Sequence, residues 1–199
     1  MTAYTRTNIA ATTAAVTNRI VTSANMKVGA YTIANASPVW AGGALITVTH
    51  TEVGGGVDTL GTIVLVGKDL HGQAITETLT PVNGSTATST KVFRSVTSAT
   101  GVGWVIGVGN DTIVIGVAAG SYVAVGGGTL RSLVVNTTAA ATVVLSDSTG
   151  TIATLKSSIA EGTYYYDLQW SGYLKVATTS TNDVTAVHSP GVPTTYAMA

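Results

Sequence analysis

Residues 59–81 read TLGTIVLVGKDLHGQAITETLTP, and this stretch decides the fold class. Residues 59–67 are β-branched and apolar, and in residues 74–81 apolar and polar side chains alternate, with Ile75, Glu77 and Leu79 on one side. A period of two belongs to a strand, and Val, Ile and Thr fit a pleated surface while disfavouring helix. Between the runs, Lys68-Asp69-Leu70-His71-Gly72 supplies the Asp and Gly that a tight turn uses. The stretch reads as two strands joined by a turn.

The same texture extends outward in both directions. Short β-branched runs recur at 44–52, 59–67, 74–81, 90–98, 112–116 and 121–125, separated by Gly, Asn, Asp and Ser at roughly the 8–12 residue spacing of sandwiches and barrels. Gly54-Gly55-Gly56 is read as a hairpin loop between the first two. At Gly126-Gly127-Gly128 the pattern pauses, which suggests a flexible boundary. A second set of strands follows at 130–136, 142–146, 151–155, 163–169, 173–178 and 183–188, with Asp147-Ser148-Thr149-Gly150 as a hairpin turn. In 163–169 the alternation puts Tyr164, Tyr166, Leu168 and Trp170 on a buried face and leaves Tyr165 outward.

The first 23 residues are rich in Thr and Ala. Ile9, Thr13, Val16 and Ile20 have helical spacing, but the segment is too Thr-rich and weakly apolar to favour a helix. A free terminus is the plain reading, and an arm that orders on a neighbour is the preferred one. The expected organisation is an N-terminal arm over 1–23, a β domain over 24–125, a glycine linker at 126–128, a second β domain over 129–190 and an extended tail over 191–199. The fold class is all-β: two small antiparallel β-sandwich or barrel-like domains with an extended N-terminal arm. At 199 residues the chain is long enough for two domains, each with its own core.

Only 9% of residues are charged, and nine Lys plus Arg balance nine Asp plus Glu. So uncharged a surface is weakly defended against association, which points to an assembled protein. No basic excess is present to neutralise phosphates, so direct nucleic-acid binding is not expected. Mean hydropathy is +0.40, yet no run approaches the roughly 18 apolar residues of a spanning helix, and the N-terminus lacks the apolar run of a signal peptide. Without cysteine there are neither disulfides nor thiolate metal sites.

Chemistry is sparse. His50, His71 and His188 are isolated from one another and from acidic clusters, so no local spacing supports a metal. The loops 69–72 and 147–150 lack the Asp density of a calcium loop. Gly101-Val102-Gly103-Trp104-Val105-Ile106-Gly107 matches a dinucleotide glycine pattern only with relaxed spacing and has no βαβ unit around it. No Gly-x-Ser-x-Gly elbow is present. Glu77 lies between apolar neighbours, and an edge position or a pairing with Lys91 or Arg94 accounts for it better than a raised-pKa acid does. No catalytic, cofactor or metal residues are expected. Ile9, Val16 and Ile20 on the arm, with Tyr165 and Tyr173, are the candidate assembly contacts.

Two stretches resemble recurrent modules of tailed-bacteriophage virion proteins. One runs from Gly67-Lys68-Asp69-Leu70-His71-Gly72-Gln73-Ala74-Ile75-Thr76-Glu77-Thr78-Leu79 to Lys91-Val92-Phe93-Arg94-Ser95-Val96-Thr97-Ser98. The other includes Leu130-Arg131-Ser132-Leu133-Val134-Val135-Asn136, Gly150-Thr151-Ile152-Ala153-Thr154-Leu155, Gly162-Thr163-Tyr164-Tyr165-Tyr166-Asp167 and Asp183-Val184-Thr185. The resemblance implies a non-enzymatic structural protein without cofactors, favouring a capsid decoration or cement protein on the outer head surface of the virion, assembled in the host cytoplasm. Its implied partners are the major capsid protein or other virion proteins and itself, as a homotrimer, with no direct nucleic acid and no membrane. The rival readings are a tail, collar or head-to-tail accessory protein and a host-surface glycan-binding module using Tyr165, Tyr173 or Trp104.

Overall fold

The computed structural model describes residues 3–55, 58–138, 141–180 and 182–190. It is all-β, and every strand pairing is antiparallel. The chain divides into two compact units. The first gathers the chain up to Ala14, Val39–Gly43 and the chain from Ala119 onward, and the second holds Ala15–Pro38 and Ala44–Ala118.

The second unit contains two four-stranded sheets. One has the order β2 (Val16–Asn25), β9 (Thr112–Val117), β4 (Ala44–Thr51), β7 (Thr86–Phe93). The other has the order β3 (Ala30–Tyr31), β8 (Ser95–Val102), β5 (Thr62–Lys68), β6 (Ala74–Leu79). Alternation builds the aliphatic core: Ile46 and Val48 from β4, Ile63 and Leu65 from β5, and Ile113 and Ile115 from β9 are all fully buried. A 3-10 turn at Met26–Val28 follows β2 and is capped by Asn25, whose Oδ1 accepts from the Lys27 N–H.

The chain changes sheets at Arg94, which splits the expected strand 90–98 into β7 and β8. Arg94 N–H donates to the Lys68 carbonyl at this crossing. Gly67 makes the crossing sterically open, because a Cβ there would run into the Ser95 carbonyl oxygen. The turn at 68–72 forms as expected between β5 and β6, with Asp69 Oδ1 accepting from the N–H groups of His71 and Gln73. The glycine loop after β4 is not a hairpin. Its flanking strands lie in different sheets, so residues 52–61 bridge them, and Gly56 lies outside the described residues.

Glu77 sits on the edge strand β6. Its carboxylate accepts from the backbone N–H groups of Thr90 and Lys91 on β7, at 2.7 and 3.0 Å, while Lys91 Nζ donates to the Thr76 carbonyl. Edge strands of the two sheets are thereby tied by side chains, and two backbone donors of β7 are occupied. The pairing with Lys91 runs through that residue's backbone, with its ammonium serving β6 in return.

The first unit is one six-stranded sheet in the order β1 (Thr5–Ile9), β14 (Asp183–His188), β10 (Ser121–Thr137), β13 (Gly162–Thr178), β11 (Val143–Asp147), β12 (Gly150–Leu155). Its core is aliphatic, built on Ile9, Leu130, Leu133, Leu145, Leu174 and Val184. The Asp147 turn joins β11 to β12 as expected. Asp147 Oδ1 accepts from the Thr149 N–H and Oδ2 from the Ser171 N–H. Burial pushes this carboxyl up, yet those bonds outweigh it and hold it below the usual carboxylate range.

Three expectations are corrected here. Residues 1–23 are extended but do not wait for a neighbour: β1 zips onto β14 and β2 pairs β9, both within the same chain. Gly126–Gly128 are no linker but the middle of β10, a strand of 17 residues paired to β13 throughout this stretch. Gly128 is required by packing, since a Cβ there would lie 2.8 Å from the Trp170 ring, and Gly126 by its φ of 103°. The unit boundaries fall instead near residues 14, 38, 43 and 118. The tail at 191–199 lies outside the described residues.

Candidate functional site: the loop end of the second unit

Strand register brings three loops and the 3-10 turn to one end of the second unit. Thr51 and Asn25 both face Thr112, Thr49 faces Thr86, Ile63 faces Leu79, and Thr62 faces Val102. The connections 52–61, 80–85 and 103–111 therefore emerge together beside Met26–Val28.

Hydrogen bonds staple these loops to one another. His50 and Asp111 are fully buried, and His50 Nε2 lies 2.9 Å from Asp111 Oδ2. His50 Nδ1 accepts from the Gly84 backbone N–H at 3.2 Å, so Nε2 carries the ring proton and donates it to Asp111. Asp111 Oδ1 accepts from the Val53 N–H at 2.8 Å. Burial opposes ionisation of Asp111, but the bonds from Val53 and His50 outweigh it and keep the carboxyl below its ordinary value. Asn83 Nδ2 donates to Glu52 Oε2, the Gly107 N–H donates to Asp58 Oδ1, and Lys27 Nζ donates to the Gly109 carbonyl. The bridge between Thr59 and Val105 adds a backbone tie.

These loops hold a set of valines out to solvent. Val28, Val53, Val82, Val102, Val105 and Val108 all stand here, six of the ten exposed large hydrophobic residues among those described. Their loops touch, since Gly54 packs against Val108 and Gly109. Lys27, Glu52, Asp58 and Asp111 each hold a loop in place, so the end is preorganised, and one cation against three carboxylates leaves it net acidic. Apolar exposure gathered in this way marks an interaction surface more than scattered single residues do.

Of the residues expected as contacts, Ile9 and Ile20 are fully buried, and Val16 is half-buried opposite Val117. Pairing of β1 and β2 inside the chain turns the larger apolar groups of the supposed arm into core. Tyr165 is 69% exposed on β13, as the alternation predicts. Arg131 lies 5.8 Å from its ring centroid and pairs with Asp167 at 2.7 Å. Tyr173 is half-buried and meets Tyr122 edge-on, with Lys175 Nζ over both rings. Trp170 is buried, but Tyr164 and Tyr166 are only half-buried and Leu168 is 45% exposed. A bulge lies beside Leu168: Tyr166 and Asp167 together oppose Arg131, and Asp167 takes a left-handed φ of 49°, so the alternation is broken there before Trp170 returns to the core. Trp104 is half-buried beside the loop end.

Neither the valine cluster nor the His50–Asp111 pair was legible as a site. A usable signal existed for the first: Val53, Val82 and Val108 each sit next to Gly, Asn or Pro, where a β-branched apolar residue has no strand to belong to, and Val102 ends its strand between two glycines. For His50 and Asp111, separated by 61 residues, sequence offers no signal. Among the described residues no group of three His, Asp or Glu side chains could hold a metal ion, and no helix is long and apolar enough to cross a membrane. No family model matches the chain, and no curated protein or solved structure is significantly similar to it.

Proposed function

We propose that this chain is a non-enzymatic structural protein of a tailed-phage virion, acting as a decoration or cement protein that bridges subunits of the major capsid protein on the outer head surface as a homotrimer. The reading needs no cofactor, nucleic acid or membrane. The observation that supports it is the stapled, valine-bearing loop end. Apolar side chains held on rigid loops dock without an ordering cost, and each valine newly removed from water contributes about 1 kcal/mol. Symmetry multiplies such small contributions over a particle.

The test uses purified protein and phage capsids that lack it. The expected result is binding in hundreds of copies and a higher rupture temperature, both lost in the Val105→Asp/Val108→Asp double variant while its own melting temperature is kept. Binding at a single vertex in few copies would move the protein to the neck or tail. No binding at all would sink the virion reading.

A host-surface glycan-binding module is the second reading, supported by Tyr165 with Arg131 and Asp167 around it on the β13 bulge. It requires saturable glycan binding that Tyr165→Ala abolishes.

A further inference from the structure

The connection from β6 to β7 carries Asn83-Gly84, both exposed, in a turn closed by the Ser85 N–H donating to the Val82 carbonyl at 3.0 Å. An asparagine followed by glycine is the dipeptide most open to internal attack, because glycine has no Cβ to hinder approach of its nitrogen to the preceding side-chain carbonyl. In this chain that nitrogen is engaged. The Gly84 N–H donates to His50 Nδ1 at 3.2 Å, and His50 in turn donates from Nε2 to Asp111 Oδ2 at 2.9 Å. Across the turn, the Asn83 side-chain amide donates to Glu52 Oε2 at 2.8 Å. A carboxylate and an imidazole are therefore lined up on the N–H that must lose its proton, and a second carboxylate holds the nitrogen that must leave.

We propose that Asn83-Gly84 is a site of self-catalysed succinimide formation, with His50 as the base, Asp111 as the residue that positions it, and Glu52 holding the leaving amide. The Gly84 nitrogen attacks Asn83 Cγ as its proton passes to His50 Nδ1. The new N–Cγ bond closes the five-membered ring, the Cγ–Nδ2 bond breaks, and the leaving nitrogen takes the proton back from the imidazolium to depart as ammonia. Water then opens the ring. Attack at the side-chain carbonyl gives aspartate, and attack at the backbone carbonyl gives isoaspartate with the main chain rerouted through Cγ. Either product loses the Asn83 amide donor and gains a carboxylate, which breaks the staple to Glu52 and adds a negative charge to a loop end that already carries three.

The experiment incubates the full chain in heavy-oxygen water at physiological temperature and pH, and follows label at residue 83 by peptide mass spectrometry. A synthetic peptide of residues 79–88 is the comparator. The expected result is labelled aspartate and isoaspartate at position 83, formed about tenfold faster than in the peptide; this is less than the ~10²-fold of a well-aligned enzyme base because the hydrogen bond is long. In His50→Gln, checked for native folding by circular dichroism, the rate should fall to that of the peptide. A native chain that reacts no faster than the peptide overturns the proposal, and so does a folded His50→Gln that reacts as fast as the parent. Should His50→Gln not fold, the comparison of native chain with peptide decides alone.

Discussion

Gly128 sits where the indole of Trp170 and the hydroxyl of Ser189 press onto the backbone of β10, and Ser189 Oγ accepts from the Thr129 N–H at 2.8 Å. A methyl group there has no room. Gly128→Ala is expected to destabilise the protein by about 1–3 kcal/mol, the usual cost of overpacking, read as a lower midpoint in urea unfolding. An unchanged midpoint would mean that Trp170 is free to move. At this scale the sequence was a good guide wherever a residue's role depends on its immediate neighbours. Asp69 and Asp147 were recognisable as turn residues because their partners lie within a few positions. Leu168 was misplaced because one extra residue in a strand, at Tyr166-Asp167, disturbs the alternation beside it, and nothing local announces it.

Among the elements, β1 shows what a strand needs beyond its own pattern. Its five residues carry a single fully buried side chain, Ile9, and it is held by register on β14 and by His188, whose Nε2 accepts from Thr7 Oγ1 at 3.2 Å. The Nδ1–H of His188 donates to the Ser189 carbonyl at 2.7 Å. Burial holds this imidazole below its ordinary value of 6.5, and the Ser189 carbonyl compensates only in part. Below pH 6.5 the unfolded chain thus binds more protons than the folded one, so this contribution to stability is complete above pH 6.5 and is lost as pH falls through the window beneath it. The melting temperature should therefore decline between pH 6.5 and about pH 5, before the carboxylates titrate, and His188→Gln should flatten that decline. A parent protein with no slope in this window would show that the ring is solvated when charged.

For the whole molecule, balanced and scarce charge sets the expected behaviour in salt. At about 1 M salt the Debye length shrinks to about 3 Å, which removes attraction between charged surfaces and leaves apolar contact intact. If the proposed virion role holds, docking through the valine loop end should accordingly hold or tighten when capsid binding is measured in high salt. A steep loss of affinity would point to a charged contact elsewhere on the protein.

Period-two alternation, β-branched composition and turn chemistry are local properties, so the sequence alone determined the all-β class, the turns at 68–72 and 147–150, and the outward position of Tyr165. It also determined that the protein would carry little charge. Only the tertiary structure decided which strands pair. The alternation in β1 is equally compatible with an edge in its own chain or in another, and its partner lies 181 residues away at the Thr7–His188 contact. The same holds for the long glycine-bearing β10, which is continuous because β13 pairs along it, and for the loop end, to which four separate segments each bring valines. Strand pattern specifies a face and not a partner, and partners are chosen by the burial that all the strands achieve together.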